Sequence, residues 1–237
     1  MGAIFRRELK AYYASPLGYI VMAVFFCVCG ISFTGTYSAG NASLSNVFSI
    51  ASVVVFLLTP IITMRLLAED KRQKTDQLVL TSPVSLTGVV LGKYFAAVVF
   101  FATLLSVLVV FQIIFSVVAT PDWMVFIGSL VGLFLMACAL LAIGLFISSL
   151  TESQVVAAVC SLAVSLFFLL ISMFSSFIST LIKNTIVTQI VDYVSLFNRY
   201  NDLVTGVIDY SNIVYFISFV VVFLFLTVRV LDKKRWA

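Results

Sequence analysis

The segment MRLLAEDKRQKTDQLVLTSPVS, Met64–Ser85, decides how the chain is organised, because it is a charged connection between two long apolar runs. The chain has 237 residues, of which 14 are Lys or Arg and 10 are Asp or Glu. Seven of these charged residues lie in the segment: Arg65, Glu69, Asp70, Lys71, Arg72, Lys74 and Asp76. A hydrophobic share of 62% and a mean hydropathy of +1.20 exceed what a soluble domain with a polar surface can hold. The composition therefore indicates a polytopic membrane protein.

Six apolar runs are candidates for membrane-spanning helices. A hydrocarbon core of ~30 Å needs about 20 helical residues. The runs are Leu17–Tyr37, Val47–Met64, Gly88–Val118, Trp123–Leu150, Val155–Ile182 and Ile213–Val230. We expect the first run to be an uncleaved span, because the apolar part of a signal peptide has only ~7–15 residues. The sequence thus predicts an all-α fold in which residues 1–237 form a single membrane domain.

The placement of Lys and Arg predicts the orientation of that domain. If the N-terminus lies in the cytoplasm, 12 of the 14 basic residues fall in cytoplasmic segments, and only Lys183 and Arg199 fall outside. Basic residues concentrate on the cytoplasmic side of membrane proteins. We therefore expect both termini to be cytoplasmic.

Two segments outside the spans have apolar residues at helical spacing. Residues 1–16 predict an interfacial helix, whose aromatic and aliphatic face consists of Phe5, Leu9, Tyr12 and Tyr13. Pro16 should end it, although an extension of the first span is the alternative. Residues 183–211 predict two short external helices separated near Arg199, either interfacial or re-entrant. Their apolar positions are Ile186, Ile190, Tyr193, Val194 and Phe197, then Leu203, Val204, Val207 and Ile208.

The sequence gives no sign of catalytic, cofactor-binding or metal-binding residues. It has no histidine, no G-x-x-x-x-G-K-[ST] loop, no G-x-S-x-G turn and no H-E-x-x-H pair. Its basic residues do not form a patch on a soluble module, so nucleic acid is not an expected partner. We expect a chain that is not an enzyme, and whose energy for any active transport comes from elsewhere.

Three smaller features carry structural expectations. The four cysteines lie in apolar runs, so we expect buried and inert thiols. Gln112 is the main polar side chain inside the third run, and an interhelical hydrogen bond is its expected role. Gly128 and Gly132 form a G-x-x-x-G pair, for which close helix packing within the subunit is the expected role.

Several stretches, in order along nearly the whole chain, resemble the ABC-2 type permease family, and specifically the gliding-motility-type ABC permeases. The first two are RRELKAYYASPLGYI at 6–20 and the charged segment at 64–85, followed by VVLGKY at 89–94. The others are TPDW at 120–123, AIGLFISSLTESQVVAAV at 142–159, GVIDYSNIVYF at 206–216 and LTVRVLDKKRW at 226–236.

The resemblance implies a permease subunit of an ATP-binding cassette transporter, which forms the translocation pathway in the bacterial cytoplasmic membrane. Two permease subunits, as a homodimer or a related heterodimer, would pair with two ATPase subunits that bind ATP and Mg²⁺. An extracytoplasmic accessory protein would be a further partner. Residues 65–87 would hold a cytoplasmic coupling helix that contacts the ATPase. By position, the contact would include Glu69, Asp70, Lys71, Arg72, Lys74, Asp76 and Gln77.

The resemblance is incomplete within the coupling segment. Where the commoner family pattern has glycine, threonine, an aliphatic residue and glutamate, this chain has Lys74, Thr75, Asp76 and Gln77. The glycine's conformational freedom and the glutamate's ion pair are therefore lost at these positions. Two other functions stay open on the sequence: an ion-coupled secondary carrier, and a membrane scaffold of an assembly complex that transports nothing.

Overall fold

In a computed structural model, the described residues of the chain, 2–38, 43–72, 85–118, 122–181, 195–204 and 210–236, form a bundle of α-helices. The long helices are α2 (Pro16–Ser38), α3 (Ser45–Thr63), α5 (Leu86–Val118), α6 (Trp123–Leu150), α7 (Gln154–Leu181) and α9 (Tyr210–Trp236). The shorter ones are α1 (Gly2–Ala14), α4 (Ala68–Arg72) and α8 (Leu196–Val204). Each of the six long helices contains a segment long and apolar enough to cross a membrane, which confirms the predicted all-α polytopic class.

A bend at Ser15 separates α1 from α2, as Pro16 predicts. Ser15 lies between the two helices, and its hydroxyl oxygen accepts a hydrogen bond from the Leu17 amide at 3.3 Å. Proline suits the first position of α2, because an amide there would have no helical partner. The N-terminal helix is thus a separate element and not an extension of the first span.

Helices α3 and α6 occupy the centre of the bundle. In the most apolar 18-residue stretch of α6, 72% is buried within the protein, against 11% in the corresponding stretch of α9. Helix α6 packs against α3, α5, α7, α8 and α9. The outer helices therefore leave most of their apolar side chains for lipid or another subunit. We call the end of the bundle that carries α1 and α4 the α1 end, and the end where α5 finishes and α6 begins the far end.

Helix α8 packs against the bundle, which fits the re-entrant alternative for the external segment. It runs without interruption through Arg199, where a separation between two helices was expected. The Tyr200 ring is fully buried, and its hydroxyl donates to the Phe48 carbonyl of α3 at 3.3 Å. An amphipathic pattern does not distinguish a lipid surface from a protein interior, and here the apolar face packs on α3 and α6. Residues 183–194 and 205–209 of the predicted pair lie outside the described residues.

The predicted glycine pair contributes to this packing within the subunit. A Cβ atom at Gly132 would lie 3.1 Å from the Leu203 Cβ and 3.2 Å from the Tyr200 ring. Helix α8 can therefore approach α6 closely only because position 132 has no side chain. Gly128 is also buried in α6.

The predictions for two of the cysteines and for Gln112 are wrong. Cys27 and Cys160 are exposed on the outside of the bundle, whereas Cys29 is buried as expected and Cys138 is half-buried. A cysteine within an apolar run can therefore face lipid as well as the protein core. Gln112 is buried, but its amide lines a cavity at the far end. It forms no hydrogen bond with any residue that the structure describes.

The closest approach of α3 and α6 predicts one stability effect. A methyl group at Gly144 would overlap the side chain of Thr63, which is itself fully buried in α3. We expect Gly144→Ala to lower the free energy of unfolding by about 1–3 kcal/mol, as overpacking does in other cores. Thermal unfolding of the purified protein measures this.

Gly30→Ala is the matched control, because a Cβ at Gly30 in α2 would meet no atom within 4 Å. Alanine favours the helix over glycine, so this variant should be as stable as the wild type or more so. Equal melting temperatures for Gly144→Ala and Gly30→Ala would contradict the packing described.

Candidate functional site

The charged segment between α3 and α5 is docked on the end of α6 at the α1 end of the bundle. A turn over residues 64–67 leads into α4. The Ser148 hydroxyl oxygen of α6 accepts hydrogen bonds from the Leu67 amide at 3.1 Å and from the Ala68 amide at 3.0 Å. These amides begin α4 and have no carbonyl partner of their own within the helix. Ser148 therefore holds the start of α4 against α6.

Lys71 fastens the other end of α4 to the same helix. Its ammonium donates to the Ser149 carbonyl and, at 3.4 Å, to the Thr151 carbonyl. The last carbonyls of a helix have no amide partner and carry partial negative charge, so a cation is stabilised there. Helix α4 and the end of α6 are thus joined at two points.

A buried ammonium links α4 to α1 and α5. Lys93 of α5 is only 2% exposed, and its nitrogen lies 2.8 Å from an Asp70 oxygen and 3.0 Å from a Glu8 oxygen. Both carboxylates are also largely buried. An ammonium out of water is tolerated only when opposite charges compensate it. Lys93 therefore requires one carboxylate from α1 and one from α4.

Two arginines lie at the edge of this cluster. Arg7 contacts Glu8 at 2.8 Å and Asp70 at 3.6 Å, while most of its side chain is exposed. The hydrogen bond to Glu8 raises the pKa of Arg7, and partial burial opposes that effect. Arg65 pairs with Glu69 at 2.8 Å and donates to the Ser15 hydroxyl at 2.6 Å. The turn between α1 and α2 is thereby connected to the turn before α4.

Tyr12 completes the attachment of α1 to the bundle. Its ring stacks on Phe100 of α5 with centroids 4.9 Å apart, and its hydroxyl donates to the Ile62 carbonyl of α3 at 2.9 Å. Burial raises the pKa of Tyr12, so the hydroxyl stays protonated and remains a donor. The aromatic face that suggested contact with lipid includes one ring that packs within the protein.

The predicted coupling residues differ in how much of each is available to another protein. Lys71 is buried and Asp70 is turned toward Lys93, whereas Glu69 is partly exposed and Arg72 is exposed. Lys74, Asp76 and Gln77 lie outside the described residues. Of the four residues that the structure describes, Arg72 therefore offers the most surface to a partner.

Sequence reasoning missed three residues that hold the coupling segment in place. Lys93 was counted only as a topology signal, and Glu8 and Ser148 drew no attention. The isolated Lys93 within an apolar run is a signal that could have been used, because a charge near a span needs a partner. Its partner Glu8 is 85 positions away, so no local pattern identifies it.

The geometry fits a mechanical connection and gives no sign of a reaction centre. Among the described residues, no group of three or more Cys, Asp and Glu side chains could hold a metal ion. Glu8 of α1, Asp70 of α4 and Lys93 of α5 pair with one another across these three helices. A force applied to α4 would therefore reach three other helices through hydrogen bonds and ion pairs.

Comparison with known proteins adds one finding. A family model described as ABC-2 family transporter protein matches residues 10–236. No curated protein matches the chain.

The buried cluster predicts a strong effect on stability. Lys93→Met keeps the length of the side chain but leaves Glu8 and Asp70 buried with no ammonium between them. We expect the free energy of unfolding to fall by about 3 kcal/mol, since removing one partner from a buried group of ion pairs is strongly destabilising even though Arg7 still contacts both carboxylates. Thermal or denaturant unfolding in detergent measures the change.

Lys10→Met is the control, because Lys10 is an exposed lysine of the same α1 end. It should stay within about 0.5 kcal/mol of the wild type. Adding Glu8→Gln and Asp70→Asn to Lys93→Met should restore much of the loss, because neutral amides then replace the two buried carboxylates. If Lys93→Met unfolds like Lys10→Met, the cluster does not hold the helices together.

Proposed function

Because this chain belongs to the ABC-2 family of transporter proteins, we propose that it is a gliding-motility-type permease subunit coupled to a separate ATPase. Membership makes it an integral, multi-pass permease component of an ABC transporter, and permeases of this family generally work with ABC ATPase subunits. The proposal adds the subtype, the site of contact and the way in which movement of the ATPase reaches the membrane.

The observation that carries the proposal is the attachment of α4 to the rest of the chain. Ser148 and Lys71 fix α4 to α6, and Asp70 joins it through Lys93 to α5 and α1. At the same time Arg72 is exposed at the end of α4. An element that is rigidly attached on one side and charged on the other suits a contact through which a partner moves helices.

We assign the ATPase contact to the exposed side of α4, with Arg72 at its centre and Glu69 at its edge. Lys74, Asp76 and Gln77 follow directly in the sequence and remain part of the proposed contact. Asp70 and Lys71 then act inside the permease and pass displacement of α4 to α5 and α6. ATP and Mg²⁺ belong to the ATPase subunits, whose closure would supply the displacement.

The proposed assembly has two permease subunits and two ATPase subunits. The exposed apolar faces of α2, α7 and α9 suit contact with lipid and with a second permease, either identical or related. In this arrangement the α1 end and both termini face the cytoplasm, and the protein lies in a bacterial cytoplasmic membrane. An extracytoplasmic accessory protein would bind at the far end.

Charge reversal at the exposed residue of α4 tests the contact. We expect Arg72→Glu to weaken assembly with the ATPase by at least about tenfold, because a charged interface contact becomes repulsive. Insertion into the membrane and the melting temperature should match the wild type, since Arg72 is exposed. Co-purification of the two subunits and transport-linked ATP hydrolysis measure the effect.

Lys233→Glu is the matched control, because it makes the same charge change at an exposed position near the end of α9. It should assemble and hydrolyse ATP like the wild type. Normal assembly and normal transport by Arg72→Glu would contradict the proposed contact. Assembly without transport of any substrate by the wild type would instead favour a scaffold.

A further inference from the structure

A half-open cavity with apolar walls and several polar groups lies at the far end of the bundle, away from the proposed ATPase contact. It has a volume of about 220 Å³ and lies where the start of α3, the end of α5 and the start of α6 meet. Its polar lining residues are Ser43, Ser45, Gln112, Asp122 and Ser129. Its largest apolar lining residues are Phe48, Phe115 and Phe126. No part of the proposed coupling mechanism uses this cavity.

Gln112 is the feature that points to a ligand. Its side chain is on a residue only 2% exposed, and its amide faces the cavity. Within the described chain it has no hydrogen-bond partner. An amide that reaches the cavity bonds to whatever occupies that space, either water or a ligand. The cavity is large enough for about seven waters at ~30 Å³ each, or for an organic group of similar size.

The remaining polar groups make the lining rich in hydrogen-bond acceptors. The Ser129 hydroxyl donates to the Val125 carbonyl at 2.7 Å, which leaves its oxygen as an acceptor toward the cavity. The hydroxyls of Ser43 and Ser45 lie 3.0 Å apart, so one of their two protons is used between them. Asp122 contributes a carboxylate, one oxygen of which accepts from the Met124 amide at 3.1 Å. A ligand that donates hydrogen bonds suits this set best.

The charge and the apolar walls narrow the class of ligand further. Asp122 is the one formally charged residue of the described lining, and its charge is negative. Phe48, Phe115 and Phe126 contribute phenyl groups to the lining, and phenyl rings attract organic cations at their faces. Among the described lining residues, a phosphate would meet a carboxylate and no cation. An ammonium group satisfies both the carboxylate and the acceptors.

The depth of the cavity indicates where such a group would come from. Gln112 lies 19 residues after Lys93 on α5, which is about 28 Å along the helix axis. That distance is close to the ~30 Å thickness of a hydrocarbon core. The charged α1 end and the cavity therefore lie at opposite membrane surfaces, each at the level of lipid head groups.

From these observations we infer that the cavity is a binding site for a primary ammonium group, supplied by an aminophospholipid head group or a free amine. Asp122 pairs with the charge, Gln112 and Ser129 accept its hydrogen bonds, and the phenyl rings cover its carbon atoms. The inference does not depend on ATP coupling, because the site is built from α3, α5 and α6 of one chain at the far end.

Direct binding of ethanolamine tests the site. The full-length protein is placed in nanodiscs of phosphatidylglycerol, and equilibrium dialysis with radiolabelled ethanolamine is corrected with empty nanodiscs. We expect saturable binding of one ethanolamine per chain, and no competition by inorganic phosphate. No saturable binding to the wild type, or tighter binding of phosphate than of ethanolamine, would overturn the inference.

Two substitutions separate binding from folding. Asp122→Asn removes the charge but keeps an oxygen that can cap α6, so stability should hold while affinity falls about tenfold or more. Gln112→Leu should also weaken binding, yet its melting temperature should match that of the wild type, because the amide forms no hydrogen bond within the described chain and an apolar group of similar size replaces it. A fall in stability without a loss of binding in Gln112→Leu would show a structural role and overturn the assignment.

Glu152→Gln controls for the loss of one negative charge, since Glu152 is exposed just beyond the opposite end of α6. It should bind ethanolamine like the wild type, and an equal loss of affinity in Glu152→Gln and Asp122→Asn would contradict a local site. Nanodiscs that also contain phosphatidylethanolamine identify the source. An apparent affinity for ethanolamine about tenfold lower there assigns the site to the lipid, and an unchanged affinity assigns it to free amines; both outcomes support recognition of an ammonium group.

Discussion

The buried ammonium of Lys93 is the interaction on which the arrangement of the α1 end depends. A lone cation could not stay out of water at this position, so α5 must remain beside a carboxylate of α1 and a carboxylate of α4. This requirement fixes the N-terminal helix to the bundle and fixes the short helix after the second span. The stacked rings of Tyr12 and Phe100 and the pair of Arg65 with Glu69 then strengthen an arrangement that the charges already impose.

Helix α6 connects this end of the molecule to the other. Its last turn holds α4 through Ser148 and the carbonyls after it, while Gly132 admits α8 and Asp122 caps its first turn beside the polar cavity. A helix of 28 residues is about 42 Å long. A tilt or shift of α6 would therefore change both membrane surfaces at once. In the proposed assembly, this geometry would carry a movement of the ATPase from the α1 end to the far end.

The sequence predicted the architecture well, because hydrophobic length and charge placement are local properties. The six spans and the boundary at Pro16 follow from patterns of about 20 residues or fewer, whereas the helix within the charged connection was implied by the family resemblance. The residues that hold the site together were beyond such patterns. Lys93 contacts Glu8, which is 85 positions away in the sequence. The sequence alone does not distinguish a buried, paired lysine from a solvated one. Ser148 and Gln112 lie in apolar runs. A polar residue there can form a hydrogen bond within its helix, contact another helix or line a cavity, and the sequence does not distinguish these roles.

The external segment shows a second limit of the same kind. Apolar residues at helical spacing predict that a helix has one buried face, but they do not say whether lipid or protein covers it. Tyr200 and Leu203 turned out to pack on α3 and α6, and the gap at Gly132 that admits them can be recognised only once both helices are in place. The exposed Cys27 and Cys160 show the reverse case, in which apolar surroundings in the sequence correspond to the outside of the bundle.

Photocrosslinking from position 72 in intact cells tests the central claim most directly. In one variant a photoreactive amino acid replaces Arg72. In a second variant of the same chain it replaces Trp123, which is exposed at the far end. If α4 is the coupling element, position 72 will crosslink to a protein that contains a nucleotide-binding loop, and position 123 will not. A nucleotide-binding partner captured from position 123, or none captured from position 72 in a correctly inserted protein, would contradict the account.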